Sequence, residues 1–148
     1  MKNKRLDDFE INDNNAFAIK ALKWFSKNLG DGSVIYLCCK DEKYRKDLLS
    51  AFEIEGLVHK RLVKCIDSTR ILDNREELDK LLVNVDTLVI DNIEKNGIIE
   101  ETLMKIIKTC LKSKKQVIIS SSVEAEDLNL DPLLNDKLSN GYRLIIFE

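Results

Sequence analysis

The chain has 148 residues, enough for one domain with a sizeable buried core. Its composition, 44% hydrophobic and 34% charged, is that of an ordinary folded protein and excludes a disordered one. A formal net charge of -2 excludes a general attraction to nucleic acid or anionic membranes, so any basic surface must be local.

No apolar run reaches the roughly 18 residues of a membrane span, and Met1-Lys2-Asn3-Lys4-Arg5 leads into acidic residues rather than an apolar signal core. The expected compartment is the cytoplasm. Cys38, Cys39, Cys65 and Cys110 lack C-x-x-C spacing and have only His59 to join them. No metal site is expected, and buried free thiols are the better reading.

Residues 1–15 are polar, with apolar anchors at Phe9 and Ile11, and end in Asn12-Asp13-Asn14-Asn15, which suit a helix N-cap. A helix is predicted over about 15–28, with Phe17, Ala21 and Trp24 beside Ala18, Leu22, Phe25 and Leu29 as a core-facing surface. Leu29-Gly30-Asp31-Gly32 ends it and leads into a strand at Ser33–Cys38, whose continuous apolar run suits cover on both faces. A helix over about 41–55 follows, closed by Gly56. Further strands are predicted at Arg61–Asp67, Thr87–Ile90 with Asp91 at the end, Gln116–Ser120 and Tyr142–Phe147. The helices between them fall at Asn74–Leu82, about Ile98–Leu111 and Pro132–Leu138. Strand and helix alternate throughout, which predicts an α/β three-layer sandwich around a five-stranded parallel sheet, one domain over 1–148.

The first strand-to-helix junction is where an α/β nucleotide-binding protein keeps its phosphate loop, G-x-x-x-x-G-K-[ST], whose glycines let backbone N–H groups wrap the phosphates. The eight residues here are Cys39 to Lys46, with no glycine. Val85-Asp86-Thr87-Leu88-Val89-Ile90-Asp91-Asn92-Ile93-Glu94 fits the second signature, a hydrophobic strand ending in a metal-holding acid, with Asp91 in that position. Asn92 stands where a second carboxylate is often found, and an amide cannot act as general base.

In order and spacing these segments resemble the ATPase core of DnaA, the bacterial replication initiator, and more closely its regulatory relative Hda. The resemblance rests on the opening Leu6–Asn15, on Val34-Ile35-Tyr36-Leu37, and on Leu88-Val89-Ile90-Asp91-Asn92-Ile93-Glu94. It continues through Val117-Ile118-Ile119-Ser120-Ser121, Leu128-Asn129-Leu130, Leu134-Asn135-Asp136-Lys137-Leu138 and Gly141. It implies a P-loop NTPase-like AAA+ core with strand order 5-1-4-3-2; the residues alone leave a flavodoxin-like order open.

By the resemblance, the phosphate-contacting lysine falls on Arg45, the Mg²⁺-binding hydroxyl on Lys46 and the arginine finger on Lys137, with Arg143 nearby. Arginine still pairs with phosphate, but Lys46 cannot coordinate a cation. Tyr44 replaces the second glycine, and Asp41 and Glu42 put negative charge where a phosphate would sit. Ser122 replaces an acid of the sensor segment. The helical lid, the DNA-binding domain of DnaA and a clamp-binding peptide of the Hda type are not seen in the chain.

The expectation is therefore a non-catalytic, degenerate protein of the DnaA/Hda type that regulates by binding another protein, a AAA+ partner such as DnaA, through Lys137 and Arg143. No cofactor is expected. The alternative is a weak ATP/ADP-binding switch or slow ATPase using Arg45 and Asp91 as cofactor-binding positions. A third reading, DNA association through Lys40–Lys46 and Lys108–Lys115, conflicts with the interleaved acids of the first run, and direct DNA binding is not expected.

Overall fold

The central strands of the sheet are too apolar to face water on either side, and the helices supply the two covering layers. The computed structural model describes residues 4–28, 33–73, 75–95 and 100–147. The strands are β1 (Ser33–Cys39), β2 (Val63–Asp67), β3 (Thr87–Asp91), β4 (Gln116–Ser121) and β5 (Tyr142–Ile146). The helices are α1 (Ala16–Lys27), α2 (Glu42–Val58), α3 (Arg75–Asn84), α4 (Glu100–Lys112) and α5 (Pro132–Asn140). All strand pairs are parallel, in the order β2-β3-β4-β1-β5. Read from the other side this is the expected 5-1-4-3-2.

The two-residue period of β1 splits its side chains between two cores. Ile35, Leu37 and Cys39 pack with Leu22, Phe25, Leu48 and Phe52 on the side of α1 and α2. Val34, Tyr36 and Cys38 pack with Leu103, Ile107, Leu134 and Leu138 on the side of α4 and α5. Leu6 and Phe9, in and beside a short 3-10 turn at Leu6–Asp8, close the first core. The four cysteines form no disulfide and sit in these cores; burial pushes Cys110 up to about 11 and raises Cys38 and Cys65 as well.

Several sequence expectations are corrected. Phe17 and Trp24 do not join the core: they are 70% and 53% exposed, while Ala18, Leu22 and Phe25 are buried. Helical spacing groups both sets, and only the tilt of α1 on the sheet decides between them. Gly56 does not end α2. The helix runs to Val58, and the left-handed turn comes at Lys60, φ 61°. Gly56 is instead a contact point, since a Cβ there would lie 2.5 Å from Val63 Cγ2. β1 runs one residue further than expected, to Cys39, while β2 starts two residues later and β5 ends one earlier. The 3-10 helix Ser68–Asp73 was not anticipated. The turn at 29–32, and the predicted helix starts at Asn74 and Ile98, lie outside the described residues.

The opening segment is tied down by charge as well as by burial. Arg5 grips Glu55 with two hydrogen bonds, Nε to Oε2 at 2.7 Å and Nη2 to Oε1 at 2.9 Å. The bond from Arg5 holds the Glu55 carboxyl below the usual carboxylate range. A carboxyl depressed on folding stabilises above its unfolded pKa, and that contribution is lost as pH falls through its folded value. Stability curves of the protein and of Glu55→Gln are therefore expected to converge below the normal carboxylate range and to separate above it. Parallel curves at all pH values would contradict this role.

Candidate functional site

Strand β1 and helix α2 are separated by two residues, Lys40 and Asp41. No loop fits in that space. Asp41 caps the helix, its carboxylate accepting from the Tyr44 N–H at 3.0 Å, and this fixes the first turn where a phosphate loop would open. Tyr44 packs toward the opening segment. Its ring meets Phe9 edge-on at 5.5 Å, and its hydroxyl accepts from Asn15 Nδ2 at 3.0 Å. Asn15 is the N-cap residue of α1, yet its side chain makes no cap bond there. Its Oδ1 accepts from the Asn12 N–H and its Nδ2 also reaches the Glu10 carbonyl.

One turn into α2, Arg45 points under the strand ends and is fully buried. Its Nε donates to Asp91 Oδ1 at 2.7 Å, Nη1 to the Cys39 carbonyl at 2.6 Å, and Nη2 to Asn92 Oδ1 at 2.6 Å. Each of its nitrogens thus has an acceptor within the chain. Asp91 Oδ1 also accepts from Ser120 Oγ at 2.7 Å. A buried guanidinium and carboxylate are tolerable only when paired and hydrogen-bonded in this way.

Asn92 extends the network outward. It adopts a left-handed backbone, φ 59°, which asparagine tolerates better than other non-glycine residues. This lets its Oδ1 face Arg45 while its Nδ2 donates to Asp67 Oδ2 at 2.7 Å and its carbonyl accepts from Ser68 Oγ at 2.6 Å. Burial works to raise the Asp67 carboxyl, but hydrogen bonds from Thr69 and Asn92 hold it below the usual range. Glu42, one residue beyond the cap, pairs with Lys95 at 2.7 Å.

The neighbouring strand ends are likewise tied to one another. Glu94 Oε2 accepts from the Ser122 N–H and hydroxyl at 3.1 and 2.5 Å. The Tyr36 hydroxyl lies 2.7 Å from Ser121 Oγ and donates to the Val123 carbonyl at 2.7 Å, and burial raises the phenol well above its normal range.

Arg45 and Asp91, singled out from the sequence, are thus brought together, but as each other's partners. Lys137 and Arg143 lie elsewhere. Lys137 lines a cavity of about 450 Å³ with Val34, Leu111, Gly141 and Tyr142, at the end of the sheet where β1 and β5 begin. Arg143 is bound by two carboxylates, Glu126 at 2.8 Å and Glu124 at 3.4 Å. Of this pair only Lys137 presents an exposed cation without an ion-pair partner among the described residues. Sequence reasoning missed Asp67, Ser68 and the Cys39 carbonyl as network members. Ser120, at the end of the expected sensor strand, was the one legible signal.

No protein-family model matches the sequence, and comparison with curated proteins finds no match. Solved structures do match. The replication initiator DnaA bound to AMPPCP and single-stranded DNA superposes with TM-score 0.83 at 18% identity, covering 97% of this chain and 50% of that one. Domain III of the Thermotoga maritima replication initiation protein DnaA gives 0.80 at 22% identity, covering 97% and 66%. The DnaC helicase loader gives 0.72 at 16% identity, covering 97% and 96%. The chain spans about half the length of the replication initiators it matches. It has the P-loop NTPase-type α/β fold of the DnaA and DnaC AAA+ core. No helix among the described residues is long and apolar enough to cross a membrane.

Proposed function

We propose that this DnaA-type core is a non-catalytic protein-interaction or regulatory module linked to the initiation of DNA replication in bacteria. The observation that carries the reading is the buried Arg45. The side chain in the phosphate-contacting position spends its donors on Asp91, Asn92 and the Cys39 carbonyl. Three further features support it: α2 begins two residues after β1, Asp41 occupies the helix start, and an amide stands at position 92. Phosphate would have to displace a charge-assisted internal network, and such networks are among the strongest hydrogen-bonded arrangements in proteins.

The partner class is a protein, with a AAA+ protein such as DnaA the first to test, and no direct DNA contact or cofactor is required of this chain. Lys137 carries the remaining free charge at the edge where the family's finger sits; the Arg143 guanidinium is already held by Glu124 and Glu126. Calorimetric titration with ATP and ADP, with and without Mg²⁺, is expected to show no binding up to millimolar nucleotide. Micromolar binding would overturn the proposal in favour of a nucleotide switch. With a DnaA-type partner, Lys137→Glu is expected to weaken association, and an unchanged affinity would remove Lys137 from the interface.

A further inference from the structure

Two features left over from the fold lie side by side. The first is the outer edge of β5, paired with β1 on one side and, among the described residues, with no strand on the other. Exposed edges are usually blunted by lysine, proline or a bulge; Tyr142-Arg143-Leu144-Ile145-Ile146 carries none of these and only one charge. The second is the stripe along α1 formed by exposed Phe17 and Trp24 with half-buried Ala21 between them, which lies beside that edge. With Phe25, Tyr142, Arg143 and Leu144 it lines a groove of about 340 Å³. Phe17 is 70% exposed, Trp24 53% and Tyr142 54%.

We propose that this face is a homodimer interface, in which β5 pairs antiparallel with β5 of a second copy while the two α1 stripes close over the junction. The argument for a second copy is that the surface is complementary to itself about one axis. Helix α1 runs antiparallel to β5, with the Asn14 carbonyl bonded to the Phe147 N–H at one end and Phe25 against Tyr142, 5.0 Å between ring centroids, at the other. Ala21 lies about 6 Å along the helix from Phe25, and Leu144 about 6.6 Å along the strand from Tyr142. Ala21 and Leu144 are therefore level.

A twofold axis through Leu144 also passes Ala21. The smallest side chain of the stripe then sits where the two helices approach most closely, and Phe17 of each copy faces Trp24 of the other. The same axis sets Tyr142 opposite Ile146, both on the α1 face, and Arg143 opposite Ile145 on the other face. Aromatic and β-branched residues make favourable cross-strand pairs. A register centred on Arg143 would set two guanidinium groups opposite one another, and one centred on Ile145 would move the axis about 3.3 Å past Ala21, so Leu144 is the centre. The result is an isologous interface with a continuous sheet through both copies and closed symmetry.

Trp24 is the only tryptophan, so its emission reports on this surface directly. Sedimentation equilibrium over a concentration series, with tryptophan emission on the same samples, is expected to show a monomer–dimer equilibrium. Emission should shift to the blue as dimer forms. Phe17→Glu and Trp24→Glu place a charge on an exposed side chain and should keep the native circular dichroism. Each is expected to weaken association by at least about tenfold. Val83→Glu, at a 75% exposed position of α3, should leave association unchanged. A wild-type chain that is monomeric at every concentration overturns the proposal, whether or not another protein or segment fills the groove. So does a dimer that Phe17→Glu and Trp24→Glu leave intact.

Discussion

Arg45→Ala is expected to destabilise the protein by about 3–5 kcal/mol, because it strands the Asp91 carboxylate, the Asn92 amide and the Cys39 carbonyl beneath the sheet. Small domains have total stabilities of about 5–15 kcal/mol, so this one substitution removes a large share. At this chain length the loss corresponds to a fall in Tm of about 10 °C. An arginine held ready for a ligand would behave differently: removing it from an exposed site costs within about 0.5 kcal/mol. Arg45→Lys is not expected to rescue, since an ammonium cannot present three donor nitrogens in the directions of Asp91, Cys39 and Asn92. Arg45→Met combined with Asp91→Leu is expected to recover much of the loss, because a paired replacement leaves no orphaned charge. Urea unfolding of the wild type and these three variants measures the losses and the recovery. A single-variant loss below about 1 kcal/mol would contradict the structural role.

The second large effect is at the junction of α5 and β5. Gly141 follows α5 and abuts the start of β1, where an added Cβ would lie 2.3 Å from the Val34 carbonyl oxygen. Backbone cannot yield as a flexible side chain does, so Gly141→Ala must push β5 away from β1. The expected cost is about 3 kcal/mol, at the upper end for overpacking. The backbone here is extended, φ -85° and ψ -157°, so the cost comes from space alone and not from strain. Thermal unfolding of Gly141→Ala checks this, and a loss below about 0.5 kcal/mol would show that the strand pair accommodates a methyl group.

The parallel sheet and its order were legible because apolar strands such as Val34–Cys38 and Val117–Ile119 alternate with helical spacing, and because the order of motifs resembles one family. Element ends were less so. Gly56 reads as a helix stop, but its role is set by Val63, seven residues on and in a different element. Phe17 and Trp24 carry the same spacing as the true core residues, and nothing local says which way α1 rolls.

At the site, the stretch from Cys39 to Lys46 has no glycine, and there α2 begins two residues after β1. The network at this junction was legible only in part. Arg45 and Asp91 stand out by position, but their mutual bond joins residues 46 apart in sequence. Asp67 enters through Asn92, whose left-handed backbone is a consequence of the fold rather than of its neighbours.

Whether Arg45 belongs to the scaffold or to a ligand is tested most directly by its own Nε–H group. In protein labelled with ¹⁵N-arginine, that signal is assigned by its loss in Arg45→Lys. Its hydrogen exchange is then followed with and without millimolar MgATP. Held between Asp91 and the strand ends, the Nε–H is expected to exchange only on global unfolding and to keep its chemical shift when nucleotide is added. Fast exchange, or a shift on adding MgATP, would mean that Arg45 is open to ligand and that the site has kept its original purpose.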